Sequence, residues 1–230
     1  MEIDLRWSWE LPECVGTTCV VIDVNAATTN LPLLLSKDIR GLTVVNEGNV
    51  LSLKKGCNNP LVIGESKILP EKVFDASNLP PDFLRLDFTG REVLYMSNNG
   101  SRVIEKLLSL EAGRIITASF VNLEVAINWL RKHGQQRVLL IPAGERYFPG
   151  GKSMEDYYCA QYIQKALEGE NPDLEGYLQR SRAFMMTRYD WPNMELAEKV
   201  SQVELTPNTH PLVPWCYRHG ELIKVIPHLD

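Results

Sequence analysis

Hydrophobic and polar positions along the chain repeat one unit: an apolar run, then small polar residues, then apolar positions at helical spacing. The first unit has an apolar run at residues 19–24 and a helical pattern from Leu31, and later apolar runs occupy residues 93–96, 114–118 and 138–141. Such runs are typical of buried strands, whereas apolar positions three or four apart indicate amphipathic helices. The pattern therefore predicts an α/β fold of repeated strand-loop-helix units around a mostly parallel or mixed sheet.

The remaining stretches fit the same fold. Alternating apolar residues at the start of the chain predict an edge strand, and a similar alternation at residues 221–226 predicts a closing strand. Prolines make residues 67–90 irregular, although their aromatic and leucine side chains favour an ordered loop, and residues 173–201 are mainly helical. We expect one domain over residues 1–230, with two similar α/β halves, about 1–90 and 91–230, as the alternative.

Polar residues follow each apolar run where the predicted strand ends. In the clearest case, at residues 93–104, Gly100 lets the backbone approach a ligand, and Ser101 is suited to cap the next helix. The free N–H groups of that first helical turn predict an anion site. Because the carboxyl ends of parallel strands share one edge, we expect these loops to line one crevice. Ordinary strand-to-helix turns are the alternative.

Charge and composition limit the classes of partner. The 230-residue chain has a formal net charge of −5 and no dense run of lysine or arginine, which argues against general nucleic-acid binding. No apolar stretch is long enough to span a membrane, and the acidic residues near Met1 are unlike a signal peptide, so we expect a cytoplasmic protein. Five cysteines without CxxC spacing indicate reduced thiols, and a buried Cys159 is favoured over a catalytic one.

Short motifs in these loops resemble those of a known family. Residues 23–29 read Asp-Val-Asn-Ala-Ala-Thr-Thr and residues 97–102 read Ser-Asn-Asn-Gly-Ser-Arg. Ser-Phe-Val-Asn follows at residues 119–122, Ala-Gly at 143–144 and Glu-Asp-Tyr-Tyr-Cys-Ala at 155–160. In their order and spacing, these segments are similar to those of the 2-phosphosulfolactate phosphatase family, the ComB-like proteins.

The resemblance implies a three-layer α/β/α fold and a Mg²⁺-dependent phosphatase acting on 2-phospho-3-sulfolactate. Two departures from the family motifs bear on which substrate is bound. Ala26 stands where the family pattern has arginine, and residues 77–80 only partly keep a Gly-Asn-Ser-Pro segment. A missing guanidinium removes a bidentate partner for phosphate or sulfonate. Arg146, beside Gly144, is a candidate replacement.

Carboxylates are the first candidates for the chemistry, because phosphate ester hydrolysis needs charge neutralisation and hard Mg²⁺ prefers oxygen ligands. We expect Asp23 and Asp156 to be catalytic and, together with Glu65, to bind the metal. Capping of a turn is the alternative for Asp23, and pairing with a helix dipole is the alternative for Asp156. The predicted substrate-binding residues are those of the strand-end loops: Thr28, Asn99, Gly100, Ser101, Arg102, Ser119, Asn122 and Gly144.

Three hypotheses follow for function. The favoured one is a Mg²⁺-dependent phosphatase whose substrate is a small anionic phosphoester. The second is a non-catalytic binder of a small phosphorylated ligand, which Ala26 favours, and the third is a scaffold whose polar loops only cap helices. The four histidines lie outside every strand-end loop, which disfavours phosphohistidine and Ser-His-Asp mechanisms. A homodimer is left open.

Overall fold

The computed structural model describes residues 1–134, 136–145, 151–189 and 191–228. Within them, nine strands form one sheet in the order β1-β7-β2-β6-β8-β9-β3-β5-β4. The strands are β1 (Glu2–Leu5), β2 (Thr18–Ile22), β3 (Ile39–Val44), β4 (Leu61–Gly64), β5 (Arg91–Met96), β6 (Arg114–Thr117), β7 (Arg137–Pro142), β8 (Val213–His219) and β9 (Leu222–His228). The helices are α1 (Ala27–Leu35), α2 (Val50–Gly56), α3 (Pro80–Phe83), α4 (Gly100–Ser109), α5 (Leu123–His133), α6 (Met154–Leu167), α7 (Leu174–Arg188) and α8 (Met194–Glu204).

Helices cover both faces of this sheet. Along β2, Cys19 and Val21 pack into a core that includes residues of α1 and α4, whereas Val20 and Ile22 pack into a second core formed with α5 and α6. Alternate strand residues point to opposite faces, so the two cores lie on either side of the sheet. The predicted α/β fold with a mixed sheet is confirmed, and its layers are α/β/α.

The sheet consists of two parallel groups. Strands β1, β7, β2 and β6 pair in parallel, and so do β3, β5 and β4. The antiparallel hairpin β8–β9 lies between β6 and β3 and pairs antiparallel with both. Because three antiparallel pairings separate the two groups, β5 runs in the opposite direction to β2. The division of the chain into one domain or two halves stays a prediction.

The sheet is curved. The loops after β2 and β5 meet, since the Gly100 N–H donates to Asp23 Oδ2 at 2.8 Å. In a flat sheet these strands, five steps apart in the strand order, would be separated by about 24 Å. Helix α1 contacts β2, β3, β8 and β9 from one face. The crevice therefore arises where the sheet curves around α1, and our expectation that all carboxyl ends share one edge is wrong, because the two parallel groups run in opposite directions.

Local differences from the sequence prediction have physical causes. Helix α1 begins at Ala27 rather than at Leu31, and the polar residues we had placed in a loop are buried within it. Pro32 in this helix has no N–H for the Thr28 carbonyl, which instead accepts the Ser119 hydroxyl at 3.2 Å. The closing strand is present as β9, but its partner β8 was not predicted, because its start is interrupted by Pro214.

The ordered loop after β4 covers one edge of the sheet. Gly64 N–H donates to the Ala76 carbonyl at 3.1 Å, and Val62 N–H donates to Asp75 Oδ2 at 2.8 Å. This loop protects the edge strand from further pairing. At the other edge, β1 confirms the predicted strand. No helix in the described part of the chain is long and apolar enough to cross a membrane.

Candidate active site

Asp23 lies directly after β2, where two helices begin. Its Oδ2 atom accepts the N–H of Gly100 at 2.8 Å and the N–H of Ala27 at 3.3 Å, so the first turns of α4 and α1 converge on one carboxylate. The anion that we expected at the start of α4 is thus this side chain. The pKa of Asp23 is raised from 3.8 to about 7, chiefly by burial and also by the nearby charge of Glu65, although the two N–H bonds lower it.

Asp156 connects the end of β2 to the turn after β7. Its Oδ1 atom accepts the Val24 N–H at 2.7 Å, and its Oδ2 atom accepts the Gly144 N–H at 3.1 Å. Burial, together with the charges of Glu155 and Asp23, raises the pKa of Asp156 well above its usual value. Both oxygens of this carboxylate bind backbone, so the residue holds two strand-end loops together.

Three further buried carboxylates surround this pair, and sequence reasoning did not single out Glu145 or Glu204. Glu155 accepts a hydrogen bond from the Tyr189 hydroxyl, and burial raises its pKa to about 8. Burial raises the pKa of Glu145 as well, although Arg188 lies 3.8 Å away. Glu204 lies at the end of α8, and the amide nitrogen of Asn25, turned toward it, donates to both carboxylate oxygens at 3.2 Å.

Several predicted substrate-binding side chains make internal hydrogen bonds. Thr28 Oγ1 accepts the Asp23 N–H at 2.9 Å, and Ser101 Oγ accepts the Ser97 N–H at 2.9 Å. Ser119 and Asn122 cap each other's backbone at the start of a short 3₁₀ turn. These polar side chains stabilise the loops by satisfying buried backbone groups.

Arg102 and Arg146 were the two basic residues named as candidates for binding an anion. Arg102 forms an ion pair with Glu47 at 2.6 Å. Arg146, our candidate replacement for the missing guanidinium, lies outside the described residues. Ala26 itself is buried and begins α1 with φ 158° and ψ −89°, a backbone conformation that side chains disfavour.

A cavity of about 220 Å³, which we call the inner cavity, lies beside Asp23. Of the predicted site residues, Asp23, Glu65 and Asn99 line it. The other residues in its wall are Asn25, Lys67, Asn78, Leu79, Asn98, Glu145, Ser153 and Tyr189. Asn25 and Asn98 lie within the motif loops, which was a signal for them, whereas no sequence pattern indicated Tyr189, which comes from the connection between α7 and α8.

Some buried acceptor oxygens in and near the inner cavity have no hydrogen-bond donor. Within the described residues, the buried atoms Asn98 Oδ1, Glu145 Oε1 and Glu155 Oε2 have no hydrogen-bond partner. Oxygen-only donors of this kind fit a hard divalent cation. Among the same residues, no three His, Cys, Asp or Glu side chains form a complete metal site, so Asp23, Glu65 and Asp156 do not converge on one point. A cation here would keep several water ligands, as Mg²⁺ commonly does.

Comparison with known proteins identifies the family. The family model described as 2-phosphosulpholactate phosphatase matches residues 8–204. The chain belongs to this family. The resemblance predicted from the motifs is therefore confirmed, and the protein is an enzyme of a phosphatase family.

Individual relatives agree with this assignment. A probable 2-phosphosulfolactate phosphatase from Thermoplasma volcanium is 30% identical over 164 residues, which cover 71% of this chain and 74% of that protein. Its counterpart from Thermoplasma acidophilum is 28% identical over 163 residues, 70% of each chain. A protein of the same description from Thermotoga petrophila is 33% identical over 151 residues, 66% of this chain and 63% of its own.

Gly100→Ala should destabilise the contact between α4 and Asp23. A Cβ atom at this position would lie 2.4 Å from Asp23 Oδ2 and 2.6 Å from Ala27 Cβ, so we expect a loss of about 1 to 3 kcal/mol in the free energy of unfolding. Urea denaturation measures the change. Gly56→Ala is the matched control, because its Cβ meets nothing within 4 Å. Equal stability of the two variants would contradict the close approach.

Tyr189→Phe should leave Glu155 without its hydroxyl donor while the ring keeps its packing against Phe184 and Trp191. We expect a cost of about 1 to 3 kcal/mol in the free energy of unfolding, because a buried acceptor loses its partner. Tyr162→Phe serves as the control, since no hydrogen bond of that hydroxyl is found in the described residues. A Tyr189→Phe variant as stable as this control would refute the bond.

Stability without metal should fall as pH rises. The pKa of Asp23 is 3.8 when unfolded and about 7 when folded, so its contribution is full below about pH 4 and is lost as pH rises through about 7. Denaturation in chelator between about pH 5 and about pH 8 should therefore show a shallower decline for Asp23→Asn than for the wild type. Glu195→Gln, at an exposed site where Lys199 lowers the pKa, should keep the wild-type decline.

Proposed function

We propose that this protein hydrolyses the phosphate monoester 2-phosphosulfolactate to sulfolactate and inorganic phosphate, and that the reaction depends on Mg²⁺. The observation that carries the proposal is the Asp23 carboxylate, buried at the junction of two helix N-termini and in the wall of the inner cavity. A family match over residues 8–204 and relatives named as probable 2-phosphosulfolactate phosphatases support this substrate.

The carboxylates nearest the inner cavity are suited to hold Mg²⁺. Asp23 and Glu65 line the cavity and would be its protein ligands, with the unpartnered oxygens of Asn98 and Glu145 available beside them. When bound, Mg²⁺ would neutralise phosphoryl charge and lower the pKa of a water ligand. Asp156 was predicted to take part directly. Its two backbone hydrogen bonds instead support a positioning role, in which it fixes the loop after Asp23.

Donors around the inner cavity are suited to bind the phosphate. Lys67 lines the cavity and supplies a positive charge that the sequence prediction lacked, while the side chains of Asn99 and Ser153 supply neutral donors. A lysine ammonium is a point charge and cannot reproduce the bidentate contact of an arginine. Lys67 therefore compensates in charge, but not in geometry, for the arginine that Ala26 replaces.

A non-catalytic binder of a small phosphorylated ligand is the second candidate. Ala26 is the observation that favours it, because this residue is buried in a strained backbone conformation where the family motif has arginine. The acidic wall of the inner cavity argues against it, since the carboxylates there weaken the binding of an anion when no cation is present. Turnover separates the two candidates.

We also infer a cytoplasmic location. All five cysteines are free thiols, and four of them are buried, which fits a reducing compartment. The predicted homodimer stays a prediction.

Hydrolysis of 2-phosphosulfolactate should stop in excess EDTA and return with Mg²⁺, measured as released inorganic phosphate. Asp23→Asn should reduce kcat by at least about a hundredfold, because it keeps the shape of the side chain and removes its charge. Asp38→Asn is the matched control, since this aspartate is exposed and outside the inner cavity.

Two outcomes would contradict the proposal. Full turnover in EDTA removes the metal dependence, and a folded Asp23→Asn variant with wild-type kcat removes Asp23 from the reaction. Binding of the ester without any release of phosphate, with or without Mg²⁺, favours the non-catalytic candidate.

A further inference from the structure

A second, larger depression opens beside the inner cavity, and we call it the outer groove. It has a volume of about 960 Å³ and shares Asn98, Asn99 and Glu145 with the inner cavity. One side is the exposed face of α4, from Arg102 to Ser109. The other residues in its lining are Ser8, Trp9, Ala143, Gly151, Lys152 and Arg218. A molecule bound at both sites would therefore extend from the inner cavity into the outer groove.

Two cations in the outer groove are available for a ligand. Lys152 and Arg218 are exposed, and neither has a carboxylate within ion-pair distance among the described residues. The other two basic side chains have partners, because Arg102 pairs with Glu47 at 2.6 Å and Lys106 Nζ donates to the Ser8 carbonyl at 3.0 Å.

The acidic residues of the groove do not cancel this charge. Four basic side chains line the groove against two acidic ones, Glu105, which keeps its charge because its partner at 2.6 Å is the neutral Asn46 amide, and Glu145, which lies where the groove meets the inner cavity. The outer part of the groove therefore favours an anionic group.

The wall around Trp9 is held in place by packing. The Trp9 ring stacks on Trp7 with a centroid distance of 5.0 Å, and a Cβ atom built on Gly144 would lie 2.7 Å from the ring. The Ser8 hydroxyl donates to the Ala143 carbonyl at 2.6 Å. Trp9 nevertheless keeps 47% of its surface exposed. It offers the groove a rigid apolar face beside the two cations.

The size of the outer groove exceeds what a short ester needs. Pockets of about 300 to 1,000 Å³ hold ligands of drug size, and this groove is near the upper end of that range. Sulfolactate has a three-carbon skeleton, so a phosphoryl group bound in the inner cavity leaves much of the outer groove to a longer leaving group.

We propose that the outer groove binds the distal, anionic end of phosphomonoesters longer than 2-phosphosulfolactate, and that Lys152 and Arg218 select these substrates. The inference rests on the proposed function, in which the inner cavity takes the phosphate. It adds a substrate class, which is linear phosphomonoesters with a carboxylate or a second acidic group several bonds from the phosphate.

A matched pair of esters tests this selection. 6-Phosphogluconate and sorbitol 6-phosphate have the same carbon chain, but only the former ends in a carboxylate. We expect kcat/KM to be higher for the carboxylated ester, and we expect Arg218→Gln and Lys152→Gln each to reduce that preference by about two- to fivefold, the range of an exposed ion pair. Turnover of 2-phosphosulfolactate should stay within about twofold of wild type, because the short ester does not depend on either side chain.

Arg40→Gln is the control variant, because Arg40 is exposed on β3 and is not in the groove lining. It should leave the preference unchanged. Raising the salt concentration should reduce the preference in the wild type and have less effect in the Arg218→Gln variant, since exposed charge pairs are screened.

A binding measurement separates this inference from the proposed function. Titration of 6-phosphogluconate in EDTA should change tryptophan fluorescence saturably, and the change should be lost in Trp9→Phe and weakened in Arg218→Gln. If no ester is hydrolysed but this titration behaves as expected, the phosphatase proposal fails and the groove assignment stands. If 2-phosphosulfolactate is hydrolysed while the two longer esters are equivalent and Arg218→Gln changes neither rate nor fluorescence, the groove assignment is overturned.

Discussion

The burial of the Asp23 carboxylate between two helix N-termini is the interaction on which the site depends. An isolated carboxylate is costly to bury, and here two backbone N–H groups and two helix dipoles offset only part of that cost, as the raised pKa shows. The same contacts connect the start of α1 to the start of α4. They therefore join the loops of two parallel strand groups that the strand order separates, and they define the position of the inner cavity.

The buried carboxylates around Asp23 add to the acidic character of the site. Asp156 is held by backbone N–H groups, Glu155 by a phenol and Glu204 by an amide, so each is stabilised by neutral donors rather than by a cation. Such groups resist ionisation when buried, and a divalent cation would lower their pKa values together. Well-packed apolar residues at these positions would make the fold more stable than buried carboxylates do. Because the carboxylates are present at a cost in stability, the cluster indicates function.

The sequence predicted what depends on local pattern. Apolar runs and polar strand ends were sufficient for the α/β fold, and the order of short motifs was sufficient for the family. The roles of individual polar residues were harder to predict from the sequence, because Thr28 and Ser119 have the same side-chain chemistry whether they bind a ligand or cap a backbone group. Tyr189 and Glu204 lie 29 and 44 residues beyond the last motif segment, which ends at Ala160, and they reach the site through tertiary packing. No local pattern reports such contacts. The curvature of the sheet is likewise a property of the packed core.

The position of the hairpin β8–β9 has a consequence for biosynthesis. These strands come last among the nine in the chain, at residues 213–228, yet they lie in the middle of the sheet and join its two parallel groups. During translation each group can pair internally, but the sheet cannot become continuous across the two groups until the hairpin leaves the ribosome. Non-local strand pairing of this kind is slow and leaves unpaired edges exposed meanwhile. The nascent chain therefore carries an open strand edge on β3, and a second one on β6 once that strand is made, until residues 213–228 emerge, and these are the surfaces that a chaperone would have to shield.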